Sequence, residues 1–214
     1  MKIILKTILV NLLFTLFLIN SFSLKAFSQD KTGIMIGGEL SGGILKPNLT
    51  FFNTTNSTSD TSFFASISFV GEWDFKDYLG LGFGLGSKFF TIKGSGNSQA
   101  VKYTAIVSNI PLTLRFKPVS LISNNSSFSS FVGTGLNLHM SLYSKRNYPN
   151  ATNSTLSSSW GWLSEAGIGY YISEDILLQT IAKYNLGLTD LDKRSKDKII
   201  LNYFEVTVGI LFRL

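Results

Sequence analysis

From Ile199 to Leu214 the chain alternates apolar and polar side chains with a period of two. Phe204, Val206, Val208, Ile210, Phe212 and Leu214 fall on one face of an extended backbone. Glu205, Thr207, Gly209 and Arg213 fall on the other, with Leu211 as the apolar exception. Successive side chains of a strand point to opposite faces, so this pattern predicts one β-strand with a greasy row opposed by a polar one. A strand of this kind that also closes the chain on an apolar residue suits a membrane-spanning sheet.

The rest of the chain repeats the pattern. Eight alternating segments separated by polar or turn-rich stretches predict an all-β, eight-stranded antiparallel up-and-down transmembrane β-barrel. The expected strands are 32–42, 62–75, 78–93, 101–117, 128–143, 159–172, 176–189 and 199–214. Segment 62–75 alternates cleanly, with Phe63, Ala65, Ile67, Phe69 and Trp73 against Ser66, Ser68, Glu72 and Asp74. In 78–93, leucines and Phe83 oppose Gly80, Gly82, Gly84 and Gly86, which predicts glycines lining a lumen where neighbouring strands place large side chains. Their strict period of two, without a following helix, argues against a phosphate-binding loop. The slip at Phe89-Phe90 predicts a bulge, and so does Pro111, which cannot donate to a ladder.

The composition fits. The chain has 18 Phe, 8 Tyr, 3 Trp and 19 Gly, but only 15% charged residues. Beyond the first 28 residues there is no apolar run of about 18 residues that a spanning helix needs. Residues 1–28 read as a cleaved secretory signal peptide: Lys2 and Lys6, an apolar core from Ile8 to Phe22, then Ala26-Phe27-Ser28 before Gln29. A retained signal anchor is the alternative. Residues 29–214 are then the outer-membrane β-barrel domain. Removing Lys2, Lys6 and Lys25 takes the net charge from +6 to +3, a scattered balance that gives no nucleic-acid footprint. With no Cys and one His, disulfides, thiol catalysis and a metal centre lack ligands, and no cofactor is expected.

Connections one, three, five and seven run to about 19, 7, 15 and 9 residues, two of the even ones to two or three, and the remaining even one, Pro118 to Ser127, is longer than those two. This places both termini in the periplasm of a Gram-negative cell. Trp73, Phe75, Tyr78, Phe116, Phe128 and Tyr170 are expected in one aromatic girdle, and Phe63, Tyr103, Trp160 and Trp162 in the other. Glu39, Glu72, Asp74, Lys88, Arg115, Glu165, Lys183, Glu205 and Arg213 are expected inside. An eight-stranded lumen is narrow enough to be filled by side chains, so these charges should pair into a plug; a narrow ion path is the alternative.

Thr207-x-Gly209-x-x-Phe212-x-Leu214 resembles the C-terminal signal read by the barrel-insertion machinery. The run Ile110-Pro111-Leu112-Thr113-Leu114-Arg115-Phe116, with Phe131-Val132-Gly133-Thr134-Gly135 and Tyr184-Asn185-Leu186-Gly187-Leu188-Thr189-Asp190, resembles the PorT-like family of small outer-membrane barrels. That resemblance implies an integral outer-membrane protein, a link to protein secretion or cell-envelope partners, and no catalytic residues. The expected partners are therefore outer-membrane lipid and lipopolysaccharide, reached by loops such as the charged stretch 190–198, or proteins at the periplasmic rim.

Two other readings compete. His139 and Ser141, with Glu165 on the next strand, are similar to the His-x-Ser plus Glu set of lipid A deacylases, where a base-activated serine attacks an ester. A soluble lipocalin-like barrel would instead turn its apolar rows inward. The Asn-x-Ser/Thr triplets at Asn48, Asn53 and Asn150 read as polar loop chemistry.

Overall fold

A computed structural model describes residues 33–50, 57–96, 99–118, 127–147, 158–191 and 198–214. The expected signal segment, the Asn53 and Asn150 triplets and most of the charged stretch 190–198 lie outside the described residues.

Eleven strands follow in order: β1 Gly33–Leu45, β2 Asn48–Thr50, β3 Ser57–Ser59, β4 Ser62–Lys76, β5 Leu79–Gly96, β6 Gln99–Phe116, β7 Phe128–Asn147, β8 Ser158–Ser173, β9 Ile176–Gly187, β10 Lys198–Ile200 and β11 Tyr203–Arg213. The eight long ones pair in chain order, all antiparallel, and β1 closes on β11, with Leu40 opposite Val208. β3 extends the edge of β5, and β2 pairs with β10 in a small sheet of its own. Closure leaves the eight-stranded wall without a free edge along which another chain could pair.

The polarity is inside out. Leu40, Ile67, Leu112, Ile168, Val208 and Phe212 are exposed on the outer face, while Glu39, Glu72, Lys88, Arg115, Glu165 and Glu205 are buried inside. Such a surface is stable where hydrocarbon replaces water. It rules out the lipocalin-like alternative, which needs the opposite placement. The turn-end girdle stands at the strand ends, where Trp73 meets Phe75 and Phe128 meets Tyr170 edge-on, and Phe63, Trp160 and Trp162 of the other girdle are exposed on the outer face. Tyr103 does not belong to the outer one. It is 1% exposed and points into the lumen.

Several local expectations change. The terminal segment is not one strand: Leu201-Asn202 interrupts it, and Lys198–Ile200 turns aside to pair with β2. Phe89-Phe90 carries no bulge, since Ala65↔Phe89 and Phe64↔Phe90 continue the register of β4 and β5. The change there is chemical: inward glycines give way to Lys88, Phe90 and Ile92, still at period two. Pro111 carries no bulge either. It stays in register with Asn137 on β7, while on the β5 side the pairing lapses between Phe83↔Leu112 and Gly86↔Asn109 and resumes unshifted. A residue without an N–H interrupts a ladder without inserting a position. The irregularity of this sheet region instead lies between Ile106 and Val107, whose partners are Tyr143 and Ser141, so that Leu142 is the extra residue.

β5, β6 and β7 are 18, 18 and 20 residues long, where about 9–11 suffice to span a bilayer. They therefore continue beyond the apolar belt, and the expected connection between β5 and β6 shrinks to the two residues between Gly96 and Gln99.

Candidate functional site

The inward faces converge on the lumen, which is stratified. At the loop end, Leu45, Phe64, Phe90, Ile92, Tyr103 and Val107 from the wall pack with Leu191, Ile199 and Leu201 from the last loop. The Ile199 N–H donates to Asp190 Oδ1 at 2.7 Å, which ties the two described ends of that loop together. At the turn end a smaller apolar group joins Leu211, Met35, Val70 and Leu177. Leu211, the apolar exception on the polar face of the last strand, is thus part of a plug.

Between these layers lie the charges. Among the described residues nine charged side chains are buried, five acids and four bases, and every one takes part in an ion pair. Arg115 holds Glu72 through Nη1 at 2.6 Å and Glu165 through Nε at 2.7 Å. Its guanidinium also lies 4.3 Å from the centre of the Phe131 ring. Thr113 donates to Glu165 at 2.6 Å. Lys117 bridges Glu72 and Asp74. Lys183 reaches Glu39 at 2.6 Å, and Gln179 donates to the other oxygen of that carboxylate at 3.0 Å. Lys88 pairs with Glu205 and stands 4.6 Å from the Tyr203 ring centre and 4.9 Å from that of Phe64, where the charged layer meets the apolar one. Buried charges are tolerated when paired and hydrogen-bonded in this way.

Glycine makes the room. A Cβ at Gly80 would stand 2.4 Å from Asp74 Oδ1, and one at Gly82 would stand 2.6 Å from Arg115 Nε. The period-two glycines of β5 are therefore the recess into which the plug of neighbouring strands fits. Arg213, expected with the other charges, is half-buried at the turn end and makes no ion pair among the described residues.

His139 and Ser141 do face inward, but Glu165 does not join them. On the β7–β8 ladder His139 is opposite Ser159 whereas Glu165 is opposite Gly133, a six-residue offset of about 20 Å. Glu165 is engaged by Arg115 and Thr113, and His139 meets the Tyr203 hydroxyl at 3.2 Å, which also accepts from Asn137 at 2.7 Å. A base-activated serine needs its base and orienting carboxylate within hydrogen-bond reach of one another. These residues form two separate structural contacts rather than a relay.

The loop-end apolar layer is not among the features expected from the sequence. Phe64, Phe90 and Ile92 share the inward parity of Ser66 and Lys88, and that shared parity was the signal available for it.

With this geometry in hand, the chain compares clearly with known proteins. The model of the OmpW family matches residues 55–205. OprG from Pseudomonas aeruginosa is 13% identical, with 86% of this chain and 96% of that chain covered at a TM-score of 0.61. Neisserial surface protein A is 12% identical, with 86% and 98% covered at a TM-score of 0.53. No curated protein sequence matches the chain.

Proposed function

The chain belongs to the OmpW family, and from that premise we propose that it is a non-enzymatic barrel whose lumen is shut to ions and whose work is done by its loops and periplasmic rim. It is a bacterial outer-membrane protein with both termini on the periplasmic side. The observation that carries the proposal is the pairing of all nine buried charges between two apolar layers. An ion entering such a lumen must displace bonded side chains in a space an eight-stranded wall leaves barely wide enough for them. Function on a rigid scaffold of this kind falls to the connections.

On this reading residues 1–28 are removed on export and 29–214 form the mature barrel, inserted through the C-terminal strand. The tie to protein secretion implied by the PorT-like resemblance would act through the same rim, and crosslinking from the turns in intact cells identifies the partner. The closed lumen is tested in planar bilayers. The barrel is expected to add no discrete current steps to the lipid background in concentrated KCl, and a steady open-channel current would overturn the reading.

A further inference from the structure

We propose that the outer face of the β5–β6–β7 extension is a binding site for the phosphates of lipid A in the outer leaflet, built on Lys93, Lys102 and Lys145. The site depends on the outer-membrane placement of the barrel and is independent of whether its lumen conducts.

The three strands carry matching outward rows. Phe89, Ile106 and Tyr143 form the last apolar row, with Phe89 opposite Ile106 and Ile106 opposite Tyr143. One row further, Thr91 and Thr104 are opposite each other with their hydroxyls 3.2 Å apart, and Lys145 is opposite Thr104. In the next row Lys93 is directly opposite Lys102. All three lysines are exposed. Like charges directly across a ladder repel, and among the described residues no acid pairs with any of them. The backbone N–H of Asp60 donates to the Lys93 carbonyl at 3.0 Å, yet its carboxylate makes no ion pair with these lysines. An external anion supplies the missing charge.

Depth identifies the anion. From Leu79 to Phe89 the outward residues of β5 span ten steps, about 34 Å along the strand and about 26 Å along the membrane normal at a tilt near 40°, the height of one apolar band. Lys93 lies four steps further, about 10 Å above that edge, and lysine stems bend back toward it. The succession of ring, hydroxyl and ammonium rows therefore matches acyl chain, glucosamine and phosphate. Elsewhere among the described residues the exposed large side chains at this end are apolar: Ile44, Phe63, Trp160, Leu188 and Phe204.

The test titrates the barrel in lipid nanodiscs with bisphosphorylated lipid A and with lipid A stripped of both phosphates. Lys93→Gln, Lys102→Gln and Lys145→Gln together are expected to weaken binding of the bisphosphorylated form about 100-fold, roughly fivefold per lysine. Arginine at all three positions should restore it, and Lys46→Gln with Lys198→Gln should leave it unchanged. The unmodified barrel should bind the dephosphorylated form as weakly as the triple variant binds the intact one. Equal affinity of the triple variant, or equal affinity for the dephosphorylated lipid, would overturn the assignment. So would a soluble sulfated glycan that binds the same lysines as tightly as lipid A.

Discussion

Replacing Arg115 with methionine is expected to cost the barrel about 3–5 kcal/mol, the scale for breaking a buried charge pair by removing one partner. The guanidinium is the hub of the plug. It donates to Glu72 and to both oxygens of Glu165, the second at 3.2 Å through Nη2. Without it Glu165 keeps the hydroxyl of Thr113, while Glu72 still shares Lys117 with Asp74. Lysine at 115 keeps the charge but loses the fork that reaches two carboxylates at once, so Arg115→Lys should recover part of the loss. The decisive comparison adds Glu72→Gln and Glu165→Gln to Arg115→Met. Neutralising the abandoned acids should return most of the stability, because the cost lies in the unpaired charges. Urea unfolding in vesicles, followed by heat-modifiable mobility, measures all four forms.

The second large effect lies on the other face. Val208 is 60% exposed near the middle of β11, opposite Leu40 and Thr180. Arginine there should cost about 2–4 kcal/mol, the scale for a basic side chain at the bilayer midplane. The same substitution at Leu214, at the strand's end, should cost about 1 kcal/mol or less, since the charge reaches the interface. Unfolding of both variants in one lipid measures the depth dependence directly. Equal costs at the two positions would contradict the membrane frame.

These two residues also mark what the sequence could and could not reveal. Val208 lies in an unbroken alternation, and alternation with a period of two settles which face a residue takes once the strand is recognised. The same rule placed Arg115, Glu72 and Glu165 inside. It could not say which acid Arg115 would choose, because partner choice depends on strand tilt and on the recess at Gly82, across three or more strands. At the loop end it is composition, not alternation, that misleads. Tyr103 and Phe64 look like girdle or belt residues by composition, yet they share parity with the polar row and fill the lumen. Apolar periodicity alone puts Ile199 in the last strand, whereas Leu201-Asn202 breaks the strand and Ile199 packs in the loop-end layer. Long-range closure of this kind has no local sequence signature. The His139, Ser141 and Glu165 grouping failed for a related reason: adjacency of strands says nothing about register, and a six-residue offset separates the groups.

The absence of cysteine from the chain makes the most direct measurement simple, since any introduced thiol is unique. Single cysteines at successive positions 203–212, each carrying a fluorophore, are placed in bilayers of brominated lipid. Strong quenching is expected at 204, 206, 208, 210 and 212, and weak quenching at 203, 205, 207, 209 and 211. Quenching that is uniform along the strand, or greatest at the odd positions, would contradict a barrel with hydrocarbon outside and a paired, closed interior.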